Sequence, residues 1–201
     1  RTMTSRTTPP FRADHVGSFL RPKYLLDARE QKARGEITAE QLRAVEDRAI
    51  AEIVKFQQDV GLQSITDGEF RRDWWHLDFL AQLQGVTLVD NGGQKFRIAG
   101  QSEQPPIATV TGRIGCSRPI MAEHFAFLRD NVEHGTPKLT IPSPSMVHYR
   151  GGRASIDPAV YPELDEFWSD LTAMSLAPAW PTTWPRPMGR RPMHRPGRAR
   201  C

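Results

Sequence analysis

Two segments in the first 70 residues each close on a glycine beside ligand-capable side chains: Ala13-Asp14-His15-Val16-Gly17-Ser18 and Gln63-Ser64-Ile65-Thr66-Asp67-Gly68-Glu69. A hydroxyl at Ser18 and a carboxylate at Glu69 are groups that can seat an amine or handle a proton, and glycine lets the backbone approach a bound molecule closely. Each segment reads as a strand end, and the stretch between them carries a strong helix signal. A strand, a crossover helix and a parallel strand deliver their carboxyl ends to one edge of a sheet, where α/β folds bind ligands. That topology predicts Ser18 and Glu69 at one pocket. The competing readings are local: Ser18 as the cap of a strand-to-helix turn, and Glu69 as a solvated acid paired with Arg71 or Arg72. His15, at the same strand end, is a candidate ligand or proton carrier, against a plain bond to a backbone carbonyl. Asp67 is a candidate for orienting the loop.

The elements that must position these residues are legible to differing degrees. Residues 1–10 read as a flexible leader, followed by the first strand and by a short helix around Tyr24 to Arg34 that Gly35 interrupts. Thr38 with Gln41 forms a capping box for the next helix, and Gly61 stands where a left-handed C-terminal cap belongs. Leu42, Val45, Ala49, Ile53, Phe56 and Val60 recur every three or four positions and predict the stripe that packs on the sheet. Leu62 to Thr66 is then the second strand. Val86–Val89 and residues 94–97 flank Asp90-Asn91-Gly92-Gly93 and predict a hairpin flap. A third strand over Ile107 to Thr111, a helix from Ile120 to Val132, a fourth strand over Lys138 to Ile141 and a helix from Tyr161 to Thr172 complete the pattern. Trp74 and Trp75 either line the pocket mouth or pack beneath the flap, and His148 and Tyr149 follow the fourth strand. Four rounds of strand and helix predict a parallel α/β architecture.

Composition narrows the function classes. A chain of 201 residues with 38% hydrophobic content can bury an ordinary core. No apolar run approaches the roughly 18 residues of a membrane span, and the Arg-Thr-Met-Thr-Ser-Arg start lacks the apolar centre of a signal peptide, so a cytoplasmic location is expected. Cys116 and Cys201 form no Cys-x-x-Cys or His-x-Cys pair and read as free thiols. Of the net charge of +4, the stretch 174–201 supplies +6 through six arginines without an acid, which leaves the rest at −2. The basic balance therefore belongs to a tail, which argues against a nucleic-acid surface on the folded part.

Phe11-Arg12-Ala13-Asp14-His15-Val16-Gly17-Ser18-Phe19-Leu20-Arg21-Pro22, Ile65-Thr66-Asp67-Gly68-Glu69, Pro105-Pro106-Ile107 and Ile141-Pro142-Ser143-Pro144-Ser145 together resemble the cobalamin-independent methionine synthase family, in particular its short single-barrel bacterial members. The resemblance covers residues 11–173. It implies a (β/α)8 TIM barrel, an S-methyltransferase that converts homocysteine to methionine, and a zinc ion that binds the thiol and lowers its pKa. By the same resemblance Val16, Gly17 and Ser18 hold the amino-acid part of homocysteine or methionine, and Glu69 binds its amino group. No catalytic residue is assigned.

Two departures qualify what is carried over. Gln101-Ser102 stands where full-length members have an Arg-Cys pair that touches the folate, which puts folate as methyl donor in question. The family's zinc ligands, a His-x-Cys pair, a glutamate and a further cysteine, have no counterpart, so no metal ligand is assigned. A barrel needs eight strands and about 250 residues. The expected fold is thus a partial barrel of about four βα units over residues 11–173, with residues 174–201 a disordered Pro/Arg-rich tail, read as the product of a frameshift or fusion near Ala173. The chain is expected to carry the amino-acid-binding half of the site, to be inactive alone, and to self-associate through open sheet edges. The alternatives are alkyl transfer to another thiol, a uroporphyrinogen-decarboxylase-like barrel, and a nonenzymatic binding protein whose basic tail contacts nucleic acid.

Overall fold

The capping box reads directly into structure. In the computed structural model, which describes residues 15–90, 96–98, 101–103 and 105–176, Thr38 Oγ1 accepts from the Gln41 amide and the Gln41 side chain accepts from the Thr38 amide. They open helix α2 (Ala39–Asp59), which follows α1 (Lys23–Ala33) and ends at Gly61 with φ +83°.

The buried face of α2 is rotated from the predicted stripe. Ala49 is buried as expected, and Leu42, Val45 and Ile53 pack at its margin, but Phe56 and Val60 are more than half exposed. Glu46, Ile50, Val54 and Gln57 face inward instead. Two of these are polar, which hydrophobic periodicity cannot register, and both have partners there. Gln57 exchanges two hydrogen bonds with the main chain of Thr66, donating at 2.8 Å and accepting at 2.9 Å, so a helix side chain completes the end of a strand. Glu46 lies 3.6 Å from Arg29 and 3.8 Å from Arg71.

That strand is β1 (Ser64–Ile65), which pairs in parallel with β6 (Thr136–Pro137). Lys138 extends the pairing by donating its amide to Ile65 O at 2.7 Å. Ser18 at the first strand end pairs in parallel with Gly68. The parallel order read from the sequence therefore holds around the site, with strands shorter than predicted.

The hairpin does not form as predicted. β2 (Gln84–Val89) pairs antiparallel with β5 (Ile107–Gly115), Val89 opposite Ile107 and Val86 opposite Val110, while β3 (Phe96–Ile98) pairs with β4 (Gln101–Glu103). Residues 91–95, which contain the predicted turn, lie outside the described residues. The physical reason is burial. Ala108, Val110 and Ile114 along β5 give β2 an apolar partner surface, whereas residues 94–97 read Gln-Lys-Phe-Arg and offer one apolar side chain. Gly85, with φ +74°, sits at the irregularity in the β2–β5 register, where a Cβ would come within 2.4 Å of Arg113 O. β5 also pairs in parallel with Ile156 through Val110. The described strands thus form three two-stranded sheets in a mixed α/β fold, in place of one four-stranded parallel sheet.

Two apolar clusters result. Leu25, Ile50, Val54, Ile65, Phe70 and Leu128 gather between α1, α2 and α4 (Ala122–Asn131). Leu80, Val110, Ile114, Tyr161, Phe167 and Leu171 gather between α3 (Leu77–Leu80), β5 and α5 (Leu164–Leu176), and Leu139 touches both. Helix α5 runs three residues beyond Ala173, past the predicted start of the irregular tail; residues 177–201 lie outside the described residues, as does the leader.

Candidate functional site

Three strand ends converge on one carboxylate. Ser18 Oγ donates to Glu69 Oε2, and Thr140 Oγ1, just beyond β6, donates to Glu69 Oε1 at 2.6 Å. The Arg72 guanidinium lies 3.6 Å from the same Oε1. The loop after β1 aims the carboxylate by adopting the left-handed conformation twice in succession, at Gly68 (φ +67°) and at Glu69 itself (φ +59°). Glycine relieves the first; for glutamate this conformation is strained, at a cost of about 1 kcal/mol that its surroundings must offset. They do so through Asp67, whose buried carboxylate accepts from the Glu69 amide at 2.9 Å, and through Phe19, whose amide donates to Gly68 O at 3.2 Å. Thr66 Oγ1 donates to Gly17 O at 2.7 Å and ties the two strand ends together.

Val16, Ser18, Glu69, Trp75, Leu139, Thr140 and Ile141 line an open cleft of about 510 Å³. Glu69, although only 4% exposed, is the one charged residue among them. With its Arg72 partner behind it and outside the lining, this carboxylate gives the cleft a hydrogen-bond acceptor of negative charge, which suits a ligand that brings a positive one.

The predicted residues divide by position. Val16, Ser18 and Glu69 line the cleft. Gly17 lies directly behind it, since a Cβ there would meet Thr140 Cγ2 at 2.5 Å. Asp67 is set into the loop, with burial pushing its carboxyl above the usual range while the Glu69 amide and the Arg72 and Arg71 charges pull it down. His15 is outside the cleft lining, with its Nε2 3.2 Å from Ser64 O and its ring edge-on to Phe19. Of the tryptophan pair, Trp75 lines the cleft and Trp74 packs on the second apolar cluster. His148 stacks edge-on against Phe167 and Trp168, and Tyr149 is exposed.

Sequence reasoning missed Thr140. The strand-end rule that selected Ser18 and Glu69, applied to the fourth strand, would have found it. From sequence Arg72 reads only as a surface partner of Glu69, yet it is 1% exposed, as expected only where the protein supplies partners for the charge.

Behind the loop, Arg71 pairs with Asp47 and packs over the Phe127 ring at 4.6 Å. Burial, with the charges of Arg71, Arg43 and Arg72, pushes His124 on α4 down to about 4 from its usual 6.5. A folded-state pKa below the unfolded one means that the unfolded chain takes up the proton first, so the contribution of neutral His124 is complete above about pH 6.5 and is lost as the pH falls toward 4. Wild type should therefore lose melting temperature relative to His124→Gln between about pH 7 and about pH 5, within that window. Parallel curves for the two proteins would refute the assignment.

No family model matches the chain. It is 49% identical to the uncharacterized protein YxjG of Bacillus subtilis over 147 residues, 73% of this chain and 38% of that protein. To the uncharacterized YxjH of the same organism it is 43% identical over 164 residues, 81% of this chain and 42% of that protein. The 5-methyltetrahydropteroyltriglutamate–homocysteine methyltransferase of Thermosynechococcus vestitus is 30% identical over 119 residues, 59% of this chain and 15% of the enzyme. A solved structure from Listeria monocytogenes, described as a candidate vitamin-B12-independent methionine synthase, superposes with a TM-score of 0.68 at 42% identity, covering 84% of this chain and 47% of that one. The chain is a homologue of the cobalamin-independent methionine synthases. It spans about two-fifths of the length of the first two relatives.

Methionine synthase chemistry as the resemblance describes it needs a metal at the thiol, and the described residues do not fit one. Among the described residues no three His, Cys, Asp or Glu side chains are grouped to hold a metal ion. Cys116 is a free thiol that donates to Arg118 O at 3.0 Å. Gln101-Ser102 lies in β4. Among the described residues no helix is long and apolar enough to cross a membrane.

Proposed function

We propose that this chain is the amino-acid-holding part of a methionine-synthase-like S-methyltransferase, built as the first βα units of a (β/α)8 barrel. The observation that carries the reading is the Glu69 carboxylate, held by Ser18 and Thr140 with Arg72 behind it, as the one charged group among the described residues that line the cleft. The convergence of three strand ends, at Ser18, Glu69 and Thr140, supports the barrel, because barrel enzymes assemble their sites from the carboxyl ends of successive strands. Glu69 receives the α-ammonium of homocysteine or methionine in charge-assisted hydrogen bonds, since each of its oxygens keeps a lone pair beyond the one used by a hydroxyl. Val16, Leu139, Ile141 and Trp75 offer an apolar wall to the thioether or thiol side chain. In this reading the chain holds the substrate, and activation of the thiol is left to the part of its relatives' length that it does not span.

Calorimetric titration with L-methionine and L-homocysteine tests the proposal, alongside a methyl-transfer assay of the same preparation. Binding of both amino acids without turnover is expected. Absence of binding would refute the cleft assignment, and turnover would refute the division of labour.

A further inference from the structure

One buried cation touches three walls of the cleft from behind. The Arg72 guanidinium lies 3.6 Å from Glu69 Oε1, donates to Thr140 O at 2.7 Å and donates to Trp75 O at 3.1 Å. Glu69, Thr140 and Trp75 all line the cleft, and Arg72 does not. These three residues come from the strand-end loop, from the segment after β6, 71 positions later, and from the approach to α3. Among the described residues, no main-chain hydrogen bond joins Thr140 or Trp75 to Glu69.

We propose that Arg72 is a positioning residue for the cleft, setting the Glu69 carboxylate, the Thr140 hydroxyl and the Trp75 ring at fixed distances without touching the ligand. The planar guanidinium is suited to this, because it directs several donors at fixed angles where a lysine offers one compact centre. The Arg72 main chain is itself held: Arg21 Nη2 donates to Arg72 O at 2.5 Å and to Glu69 O at 3.1 Å. Burial pushes the Arg21 guanidinium below its usual range, and it nonetheless sits against these two carbonyls. The inference rests on the amino-acid reading of the cleft for its ligand but not for its geometry.

The test is a double-substitution cycle with L-methionine as the probe, using wild type, Arg72→Met, Glu69→Gln and the combination. Arg72→Met should weaken binding about tenfold or more alone, and less than about twofold in the Glu69→Gln background, because interacting residues are non-additive. Arg72→Lys should recover part of the loss, which a mere volume effect would not predict. Equal losses in both backgrounds, or no loss, would overturn the inference. If Arg72→Met does not fold, Arg72→Lys carries the same cycle. Hydrogen exchange decides the matter if wild type fails to bind L-methionine, an outcome that removes the amino-acid reading alone. Faster exchange in both 66–76 and 138–142 in Arg72→Lys, with 107–115 unchanged, supports the positioning role, and unchanged exchange at 138–142 overturns it.

Discussion

Glu69→Gln should weaken L-methionine binding by roughly 10- to 100-fold, the range for losing a charge-assisted hydrogen bond in a partly enclosed site. Two effects act together. The amide gives up the charge that balances an ammonium, and its NH2 presents donors where Ser18 and Thr140 already donate. A stability cost follows as well. Arg72 and Glu69 are both nearly inaccessible to water, and removing one partner of a buried ion pair leaves the other uncompensated, a loss of up to about 3 kcal/mol. At 3.6 Å the pair is not in direct hydrogen-bond contact, and Arg72 keeps its bonds to two carbonyls, which sets that figure as a ceiling. Titration and thermal melts of the same variant separate the two effects. Wild-type affinity in a folded Glu69→Gln protein would remove the carboxylate from the site.

Gly17→Ala should disturb the cleft from behind with a comparable loss of binding. The residue has φ +152°, in the range that favours glycine, and a Cβ would approach Thr140 Cγ2 to 2.5 Å, well inside any tolerated contact. Thr140 would have to turn away, and its hydroxyl is the donor to Glu69 Oε1. Overpacking of this kind costs about 1–3 kcal/mol in folding, and binding should fall about tenfold if the 2.6 Å bond is broken. The clash involves a methyl group, so its remedy is specific. Thr140→Ser removes Cγ2 and keeps the hydroxyl, and the double variant should regain most of the affinity. If the double variant binds no better than Gly17→Ala, the backbone at position 17 and not the Thr140 contact governs the loss.

What was legible in the sequence divides along local and non-local lines. The α2 capping box and the Gly61 cap were legible because each is a short-range pattern with one geometric outcome. Ser18 and Glu69 were brought together on paper by topology, since a crossover helix leaves little choice of where parallel strand ends arrive. The β2 partner was not legible. The Asp90 to Gly93 cluster is a strong local turn signal, whereas the pairing with β5 spans a longer loop and is decided by apolar area that only the folded sheet reveals. The α2 stripe was misplaced for a related reason: Glu46 and Gln57 are buried because Arg29, Arg71 and the Thr66 main chain await them. Arg72 is the same case at the site, a cation that reads as solvated until three acceptors are seen around it.

The central claim is that Glu69 selects a ligand by its ammonium group. The most direct measurement is calorimetric titration of the wild-type chain with L-methionine and, under the same conditions, with the analogue in which hydrogen replaces the α-amino group. Binding of L-methionine at least about tenfold tighter than the des-amino compound is the expected result, the size of one charge-assisted contact. Equal affinity for the two compounds would contradict it.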